Sequence, residues 1–536
     1  MKKFNRSLVI GCSLLALSAC GPDDIASPGA TGPVTVNIGG GSSGGTPTPT
    51  PGTGTVQPAG ACPTIADPQG LADKGTISGP TGTWRVCELP ARFNVSTTLP
   101  KLPGLLYSIR GRVDVGCDGG YTAPTDGAPY TSTTPGCEAT PLKADTNVTL
   151  TIAPGVILYG ATGQSWLAVN RGNKINAVGT STAPIVFTSA DNVAGFNSDS
   201  SMGQWGGVVL MGRAKVTDCD FGSVDTQCER KTEGSAFPAV FGGNDDTYNA
   251  GKMSYVQIRY SGFVLGANKE LQALTLEGVG SGTQIDHFQS HNSSDDGMEV
   301  FGGSTGMKYY IATGADDDSL DVDTGARFDL QYAILAQRSG QGDALMEIDS
   351  DGKETDTPRT RLRVANFVAI QPEVSANNEG NDKASTLFRG NSDTTLINGI
   401  IATPKNECIR MTGSGGANGA TLSARSVVMT CSGDKYIGSG EYDLAKVKSF
   451  FGSGANGNND SLVSTLTNGF VNGSNEDGVA AADAAAITSS SFFEVPNPNK
   501  IGAAWSGNTT WYTGWTCNSS TAALGGASNC TSLPTT

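Results

Sequence analysis

A run of acidic residues recurs in the middle of the chain. Residues 295–301 read Asp-Asp-Gly-Met-Glu-Val-Phe, and residues 317–323 read Asp-Asp-Ser-Leu-Asp-Val-Asp, so that each position is displaced by 22 residues. A third copy, residues 343–349, reads Asp-Ala-Leu-Met-Glu-Ile-Asp. Carboxylates held close together repel one another, and they either share protons or recruit a cation. An all-oxygen site of flexible geometry suits calcium.

The repeat predicts a strand in each copy. Successive residues of a strand face opposite sides, so the apolar residues Met298, Leu320 and Met346 are expected to face a core. The acidic residues that follow them are expected to face outward, one above another, about 4.8 Å apart on neighbouring strands. A second outward column starts at Phe301 and continues with acidic residues. Two aspartates at the turns before the strands could add ligands, which makes the predicted calcium ligands Asp296, Glu299, Asp318, Asp321, Asp323, Glu347 and Asp349.

The alternative interpretation is a solvated acidic face on which aspartates serve as turn residues. Histidine offers little more chemistry, because the chain contains only two, His287 and His291. Phe288 is expected to point inward and both imidazoles outward, but about 13 Å of extended strand would separate them. We therefore interpret both as surface histidines without a role. The sequence lacks a phosphate-loop motif, and without a usable histidine a serine triad is not expected.

The spacing of the repeats indicates the fold. From Asn147 onward, runs of three to five β-forming residues alternate with Gly, Asn, Asp or Ser, as in 148–152 and 185–187. A propeller blade would need about 40 residues per repeat, whereas a period near 22 fits one rung of a solenoid. The sequence therefore predicts an all-β protein, a right-handed parallel β-helix of about a dozen or more rungs with caps at both ends.

The amino-terminal residues predict export and lipidation. Lys2, Lys3 and Arg6 precede an apolar stretch, residues 7–19, that is shorter than the about 20 residues needed to span a bilayer. The sequence Leu-Ser-Ala-Cys at 17–20 resembles the lipobox of bacterial lipoproteins, which implies cleavage before Cys20 and lipid on its thiol. Gly21 stands where an inner-membrane retention signal would have Asp, so the outer membrane and the cell surface are the expected location.

Composition constrains the partners and the cysteine chemistry. Removing three basic residues with the signal peptide changes the formal net charge from −15 to −18, which argues against nucleic acid. Ten cysteines remain beyond Cys12 and Cys20, an even number arranged in local pairs, as expected in an oxidising compartment. The expected disulfides are Cys62–Cys87, Cys117–Cys137, Cys219–Cys228, Cys408–Cys431 and Cys517–Cys530.

These signals divide the chain into five parts. Residues 20–60 are rich in Gly, Ser, Thr and Pro and predict a flexible tether. Trp505, Trp511 and Trp515 lie near the end of the sequence, where we expect them to cover the open end of the solenoid. The predicted parts are a signal peptide (1–19), the tether (20–60), a disulfide-containing cap (61–145), the β-helix (146–485) and a carboxy-terminal cap (486–536).

Several segments resemble a family of β-helical bacterial surface lipoproteins. They include Gln-Trp-Gly-Gly-Val-Val-Leu at 204–210, Phe-Gly-Gly-Asn-Asp-Asp at 241–246, Tyr-Val-Gln-Ile-Arg-Tyr-Ser at 255–261 and the acidic copy at 294–303. The resemblance covers about residues 145 to 330 and part of the carboxy terminus. It implies the fold and the location, and it implies little about activity.

The predicted function is non-enzymatic. We expect a lipid-anchored surface protein that contacts the membrane through its lipid and presents a cation-binding acidic face to a glycan or another envelope protein. The alternative is a calcium-dependent lyase or hydrolase of acidic glycans. Pectate lyases use an arginine base, for which Arg327 and Arg338 are the nearby candidates, although no lyase motif surrounds them. Polygalacturonases use an Asp-Asp pair like 295–296, but their Gly-His-Gly motif is absent.

Overall fold

The computed structural model describes residues 54–233, 239–266, 269–350, 353–375, 385–413 and 418–535. The expected signal peptide, the lipidation site Cys20 and most of the tether lie outside these residues. Within the described part, no helix is long and apolar enough to cross a membrane.

Short strands make up most of the regular structure. The strands are β1 (Ala72–Gly79), β2 (Gly82–Glu88), β3 (Arg92–Phe93), β4 (Thr97–Leu99), β5 (Leu105–Ile109), β6 (Arg112–Val115), β7 (Thr149–Ile152), β8 (Ile157–Gly160), β9 (Trp166–Val169), β10 (Lys174–Val178), β11 (Ile185–Ser189), β12 (Gly207–Met211), β13 (Arg230–Lys231), β14 (Val240–Phe241), β15 (Gly251–Arg259), β16 (Val264–Gly266), β17 (Lys269–Glu270), β18 (Leu274–Glu277), β19 (Gln284–His291), β20 (Glu299–Phe301), β21 (Ser304–Thr313), β22 (Asp321–Asp323), β23 (Arg327–Ala336), β24 (Met346–Ile348), β25 (Thr360–Ile370), β26 (Thr386–Phe388), β27 (Ser392–Thr403), β28 (Ile409–Met411), β29 (Thr421–Cys431), β30 (Tyr436–Gly438), β31 (Gly514–Asn518) and β32 (Gly526–Asn529). The helices are α1 (Ala190–Ala194), α2 (Leu444–Phe451), α3 (Ser474–Asp477) and α4 (Ala484–Thr488).

Two sheets run along the molecule, and the chain alternates between them. One, here the short sheet, has the strand order β3-β6-β9-β12-β18-β20-β22-β24-β26-β28-β30. The other, the long sheet, contains the path β2-β5-β8-β11-β15-β19-β21-β23-β25-β27-β29, whose neighbours pair in parallel. From β15 onward each rung adds one strand to each sheet, whereas in the earlier rungs β4, β7 and β10 add a second strand to the long sheet. This is the predicted parallel β-helix.

The strands of the long sheet bend in the middle at a residue of positive φ. At this position Tyr255, His287, Tyr309 and Tyr332 form a column of stacked rings, with centroid distances of 4.1, 4.4 and 5.1 Å. A left-handed conformation at a residue with a side chain costs about 1–2 kcal/mol, and the ring stacking offsets that cost. In later rungs Asn366, Asn398 and Ser426 occupy the same position.

The core confirms the predicted alternation. Met298, Leu320 and Met346 lie in one apolar cluster that extends through the rungs, and each is fully buried. Val300, Val322 and Ile348, two positions later, belong to the same cluster. The period of two residues therefore assigns the inward face of the short sheet correctly.

The β-helix starts before residue 146, the predicted boundary. Strands β2, β5 and β6 lie within residues 61–145, yet they pair in parallel with rungs of the two sheets. The loop at 116–148, which is closed by the Cys117–Cys137 disulfide, interrupts the strand pattern after β6 and hides this continuity in the sequence. All five expected disulfides are present.

The carboxy-terminal residues do not cover the open end as predicted. Residues 479–535, here the strap, run back along the long sheet toward the amino-terminal rungs. Along the way Asn398 Nδ2 donates to the Ala482 carbonyl at 3.0 Å, and Asn192 Nδ2 donates to the Cys530 carbonyl at 3.1 Å. The open end is instead covered by α2, whose Phe451 joins the main core. One apolar helical face is enough to cover the end of the core. The strap is therefore not needed there and packs along the long sheet.

The three tryptophans belong to the strap and its contact with the long sheet. Trp511 packs against Tyr309 at 5.5 Å between ring centroids, and Trp515 packs edge-on against His287 at 5.8 Å. Trp505 lies in the same apolar cluster, and all three side chains are buried. None of them is therefore placed to stack on a sugar.

Candidate metal centre

The acidic column has the predicted register. Glu299 is the strand partner of Asp321, and Asp321 is the strand partner of Glu347, on the adjacent strands β20, β22 and β24. Phe301 pairs with Asp323 in the second column. The fold thus forces carboxylates onto neighbouring rungs about 4.8 Å apart.

Three carboxyl groups converge at the end of the column that comes first in the sequence, here the upper end. One oxygen from each of Asp296, Glu299 and Asp321 lies within 4.8 Å of the others. Two further groups adjoin this acidic triad: Asp295 and Asp317 meet Asp296, and Asp317 and Asp343 meet Asp318 within the same distance. Sequence reasoning missed Asp295, Asp317 and Asp343 as possible ligands, although the doubled and tripled aspartates at 295–296 and 316–318 were a usable signal.

The turn aspartates are fixed by backbone hydrogen bonds. Oδ1 of Asp296 accepts from the Asp318 N–H at 3.0 Å, and Oδ1 of Asp318 accepts from the Ala344 N–H at 2.7 Å. Each of these side chains therefore holds the next rung in place with one oxygen.

The acidic face is shielded from solvent at the triad. Asp296, Glu299 and Asp321 point away from the apolar core, yet their exposures are only 5, 2 and 3%. Burial of several ionised carboxylates without compensation is strongly unfavourable. The alternative interpretation of a solvated acidic face therefore does not describe these three residues.

An insertion covers the neighbouring part of the short sheet. Residues 212–233 and 239–250, here the covering loop, connect β12 to β15 and contain the Cys219–Cys228 disulfide and the hairpin β13–β14. Phe241 packs on Phe301 at 6.2 Å, and the Thr217 N–H donates to the Thr324 carbonyl at 2.8 Å. The loop shows no repeat in sequence, which is why the burial could not be predicted.

Burial and mutual repulsion set the protonation of the site. Burial, followed by the charge of nearby carboxylates, raises the pKa of Asp295, Asp296, Glu299, Asp318 and Asp321 well above the ordinary range. Oδ1 of Asp321 is buried and has no hydrogen-bond partner among the described residues. Without a cation, the site must therefore hold protons to be stable at neutral pH.

No basic side chain neutralises these carboxylates in the described ranges. None of Asp295, Asp296, Glu299, Asp318 and Asp321 forms an ion pair with lysine or arginine there. The lower end of the column differs. A nitrogen of Arg389 lies 2.6 Å from Glu347, and another lies 2.8 Å from Asp349. Of the predicted ligands, Glu347 and Asp349 are thus held by an arginine, and Asp323 binds the Thr324 N–H.

The two candidate catalytic arginines do not reach the triad. Arg327 pairs with Asp246 at 2.8 Å, and Arg338 pairs with Asp316 at 2.8 Å. Arg338 also donates to the Ser200 carbonyl. Both guanidinium groups are therefore engaged with carboxylates outside the acidic triad.

The histidines differ from the prediction of two surface side chains. Phe288 does point into the core, as expected. His291, however, is fully buried; its Nδ1 lies 2.9 Å from Thr313 Oγ1, and burial lowers its pKa to about 3. His287 sits at the bend of its strand, stacked between two tyrosines and 2.7 Å from Asp286. Neither contributes to the acidic site.

Two further buried glutamates were missed in the sequence. Glu277 is the strand partner of Phe301, and its Oε2 accepts from Thr232 of the covering loop at 2.9 Å. Burial raises its pKa to about 8. Burial also raises the pKa of Glu270 to about 7. No acidic repeat surrounds either residue, so only the rung alignment could have drawn attention to Glu277.

Comparison with known proteins decides the family. The model of the pectate-lyase-like beta helix domain matches residues 139–516. The chain belongs to this family. The match includes the acidic triad, the covering loop and most of the strap. Searches of the curated proteins and of the solved structures found no match.

Proposed function

We propose that this β-helical protein is a non-catalytic, lipid-anchored protein of the bacterial envelope that binds calcium in its acidic triad. The lipid on Cys20 would hold it at the outer membrane, and its long faces would contact a glycan or another envelope protein. The carrying observation is the group formed by Asp296, Glu299 and Asp321, which is buried and lacks a basic partner in the described residues.

Calcium fits this group better than the other cations available outside cells. The ligands are all carboxylate oxygens, whereas zinc and copper prefer nitrogen and sulfur ligands. Calcium accepts irregular coordination by six to eight oxygens, whereas magnesium demands near-octahedral geometry and retains its waters. The adjoining carboxyl groups around Asp317 could supply further oxygens.

The test is thermal unfolding in calcium, in magnesium and in chelator. A ligand that binds only the folded state stabilises it by RT ln(1 + [L]/Kd), about 2.7 kcal/mol at 100 times Kd. We expect a higher Tm in millimolar calcium than in chelator, and a smaller shift in magnesium. The double variant E299Q/D321N should lose most of the shift.

A matched variant controls for general destabilisation. E347Q/D349N makes the same chemical changes one rung further along, where Arg389 already compensates the charges. It should lower the Tm and retain the calcium-dependent shift. An identical Tm of the unmodified protein in calcium, magnesium and chelator would contradict the proposal.

The family match also supports a second candidate, a calcium-dependent lyase or hydrolase of acidic glycans. The positions of Arg327 and Arg338 weigh against a lyase, because neither guanidinium group approaches the triad. Incubation with uronic-acid polysaccharides distinguishes the candidates. Unsaturated products would indicate a lyase, and new reducing ends would indicate a hydrolase.

The anchor has its own test. Cys20→Ser should abolish incorporation of labelled palmitate, because a hydroxyl cannot replace the thiol in lipid transfer. The variant should then appear in the soluble envelope fraction. Undiminished labelling of the variant would show that Cys20 is not the lipidated residue.

A further inference from the structure

A groove of about 590 Å³ lies on the outer face of the long sheet, across the rungs of β19, β21, β23 and β25. It is separate from the acidic triad, which belongs to the short sheet. Its lining combines an aromatic ring, basic groups at one end and polar groups at the other.

The floor of the groove depends on a glycine. Gly306 occupies an outward position of β21, and a Cβ there would lie 2.7 Å from the ring of Phe492. The missing side chain thus admits the Phe492 ring, which the strap lays over the strand. Lys308 Nζ stands 5.5 Å from the ring centroid. Phe492 is only partly buried, so it offers a flat apolar surface to the groove.

The basic end contains two arginines on adjacent rungs. Arg327 and Arg361 are strand partners, and like charges placed directly opposite one another are unfavourable. Arg361 shares Asp329, at 3.3 Å, with Arg363, whose Nε already donates to the same carboxylate at 2.7 Å. The side chains of Arg327 and Arg361 retain exposures of 26 and 32%. Arg327 is already paired with Asp246 at 2.8 Å, whereas Arg361 and Arg363 share the single carboxylate of Asp329, so the positive charge of Arg361 is incompletely compensated.

The opposite end is polar and uncrowded. Ser281 and Gln284 are exposed there, and the Asp286 carboxylate accepts hydrogen bonds from its neighbours Ser254 and His287. The groove is therefore polarised, with guanidinium groups at one end of the Phe492 ring and the anionic Asp286 with polar side chains at the other. This matches a small molecule with a ring and an anionic group on one side of the ring.

We propose that this groove binds a small carboxylic acid whose ring stacks on Phe492 and whose carboxylate binds Arg361, on the rung next to Arg327. Guanidinium groups form paired hydrogen bonds with carboxylates, and ring faces stack well on phenylalanine. A sugar acid and an aromatic acid share this chemistry. Binding at this groove is independent of calcium, so it can succeed or fail separately from the function proposed above.

The test uses calorimetric titration of the full chain with four probes. Glucuronate and benzoate are the acids, and glucose and benzyl alcohol are their neutral counterparts. At least one acid should bind at least tenfold more tightly than its neutral counterpart, equally in calcium and in chelator. Binding of glucuronate would indicate that the ligand is a sugar acid, and binding of benzoate would indicate that it is an aromatic acid. No tenfold preference for either acid would overturn the proposal.

Variants locate the site. Arg361→Gln should reduce the preference for the acid at least fivefold, since Arg363 still satisfies Asp329. Gly306→Ser should weaken the acid and its neutral counterpart together, because it displaces Phe492; it keeps the proposal testable if Arg361→Gln does not fold. Lys405→Gln removes an exposed charge outside the groove and should change nothing. Unchanged acid binding in both groove variants, each with a normal melting curve, would place the site elsewhere.

Discussion

The two ends of the acidic column differ in how their buried negative charge is compensated. Glu347 and Asp349 share one positive charge, the guanidinium group of Arg389. Asp321 and Glu299, one and two rungs before Glu347, are at least as deeply buried and receive no such partner among the described residues. Since the strands and register are the same, the difference lies in the source of the positive charge. The lower end carries its own cation, and we infer that the upper end takes one from the medium.

The largest expected effect comes from removing the built-in cation. Arg389→Gln leaves Glu347 and Asp349 buried without compensation, and breaking such a buried pair costs about 3–5 kcal/mol. Urea unfolding should show this loss in calcium and in chelator alike. Lys405→Gln, at an exposed pair with Glu373, should cost less than about 1 kcal/mol. If the two variants lost equal stability, Arg389 would not be the cation that the lower end requires.

An intermediate effect is expected from pH. Buried acids with a raised folded pKa hold protons that the unfolded chain has released, so stability falls as pH rises between the unfolded and the folded pKa. For Glu277 that window runs from the ordinary glutamate pKa of 4.5 to about 8. In chelator, the free energy of unfolding should fall from about pH 5 to about pH 8, by up to about 1.4 kcal/mol per pH unit for each such group.

Calcium and one variant separate the contributions to this slope. Calcium favours the ionised triad and should flatten the decline, whereas Glu277→Gln should remove only the share of Glu277 and leave the calcium effect intact. Urea titrations at several pH values measure both. Stability that rises with pH in chelator would contradict the raised pKa values of the site.

The smallest effect gives the sharpest comparison. In chelator, Asp321→Asn relieves repulsion at the upper end and should raise the free energy of unfolding by about 1 kcal/mol. The same substitution at Asp349 removes a partner of Arg389 and should lower it. Chemical denaturation in chelator measures both signs. Equal signs would mean that the two ends of the column do not differ in their compensation.

Local regularity made part of this structure predictable. The displacement of 22 residues and the alternation around Met298, Leu320 and Met346 placed the strands, the inward face and the stacking of Glu299 on Asp321. The short spacing between cysteines gave all five disulfides.

Contacts between distant segments could not be predicted in the same way. Arg389 lies 40 residues after Asp349 in a segment without acidic repeats, and the covering loop precedes the triad by more than 40 residues. The burial of His291 likewise depends on packing around its strand rather than on the strand pattern. The sequence period reflects the contacts that repeat in every rung, whereas loops that cross several rungs have no period in the sequence.

The strap has a consequence for the order in which the protein can fold. Its Leu533 packs in the same cluster as Val56 and Trp84, and Arg259 donates to the Ser532 carbonyl at 2.8 Å across 273 residues of sequence. The first rungs to be synthesised are thus completed by some of the last residues to arrive. Contacts of such separation slow folding, and the uncovered sheet is open to aggregation in the meantime. A chain exported as proposed above would need its early rungs shielded until translocation ends. A truncation that removes the strap would expose the aromatic column along its length.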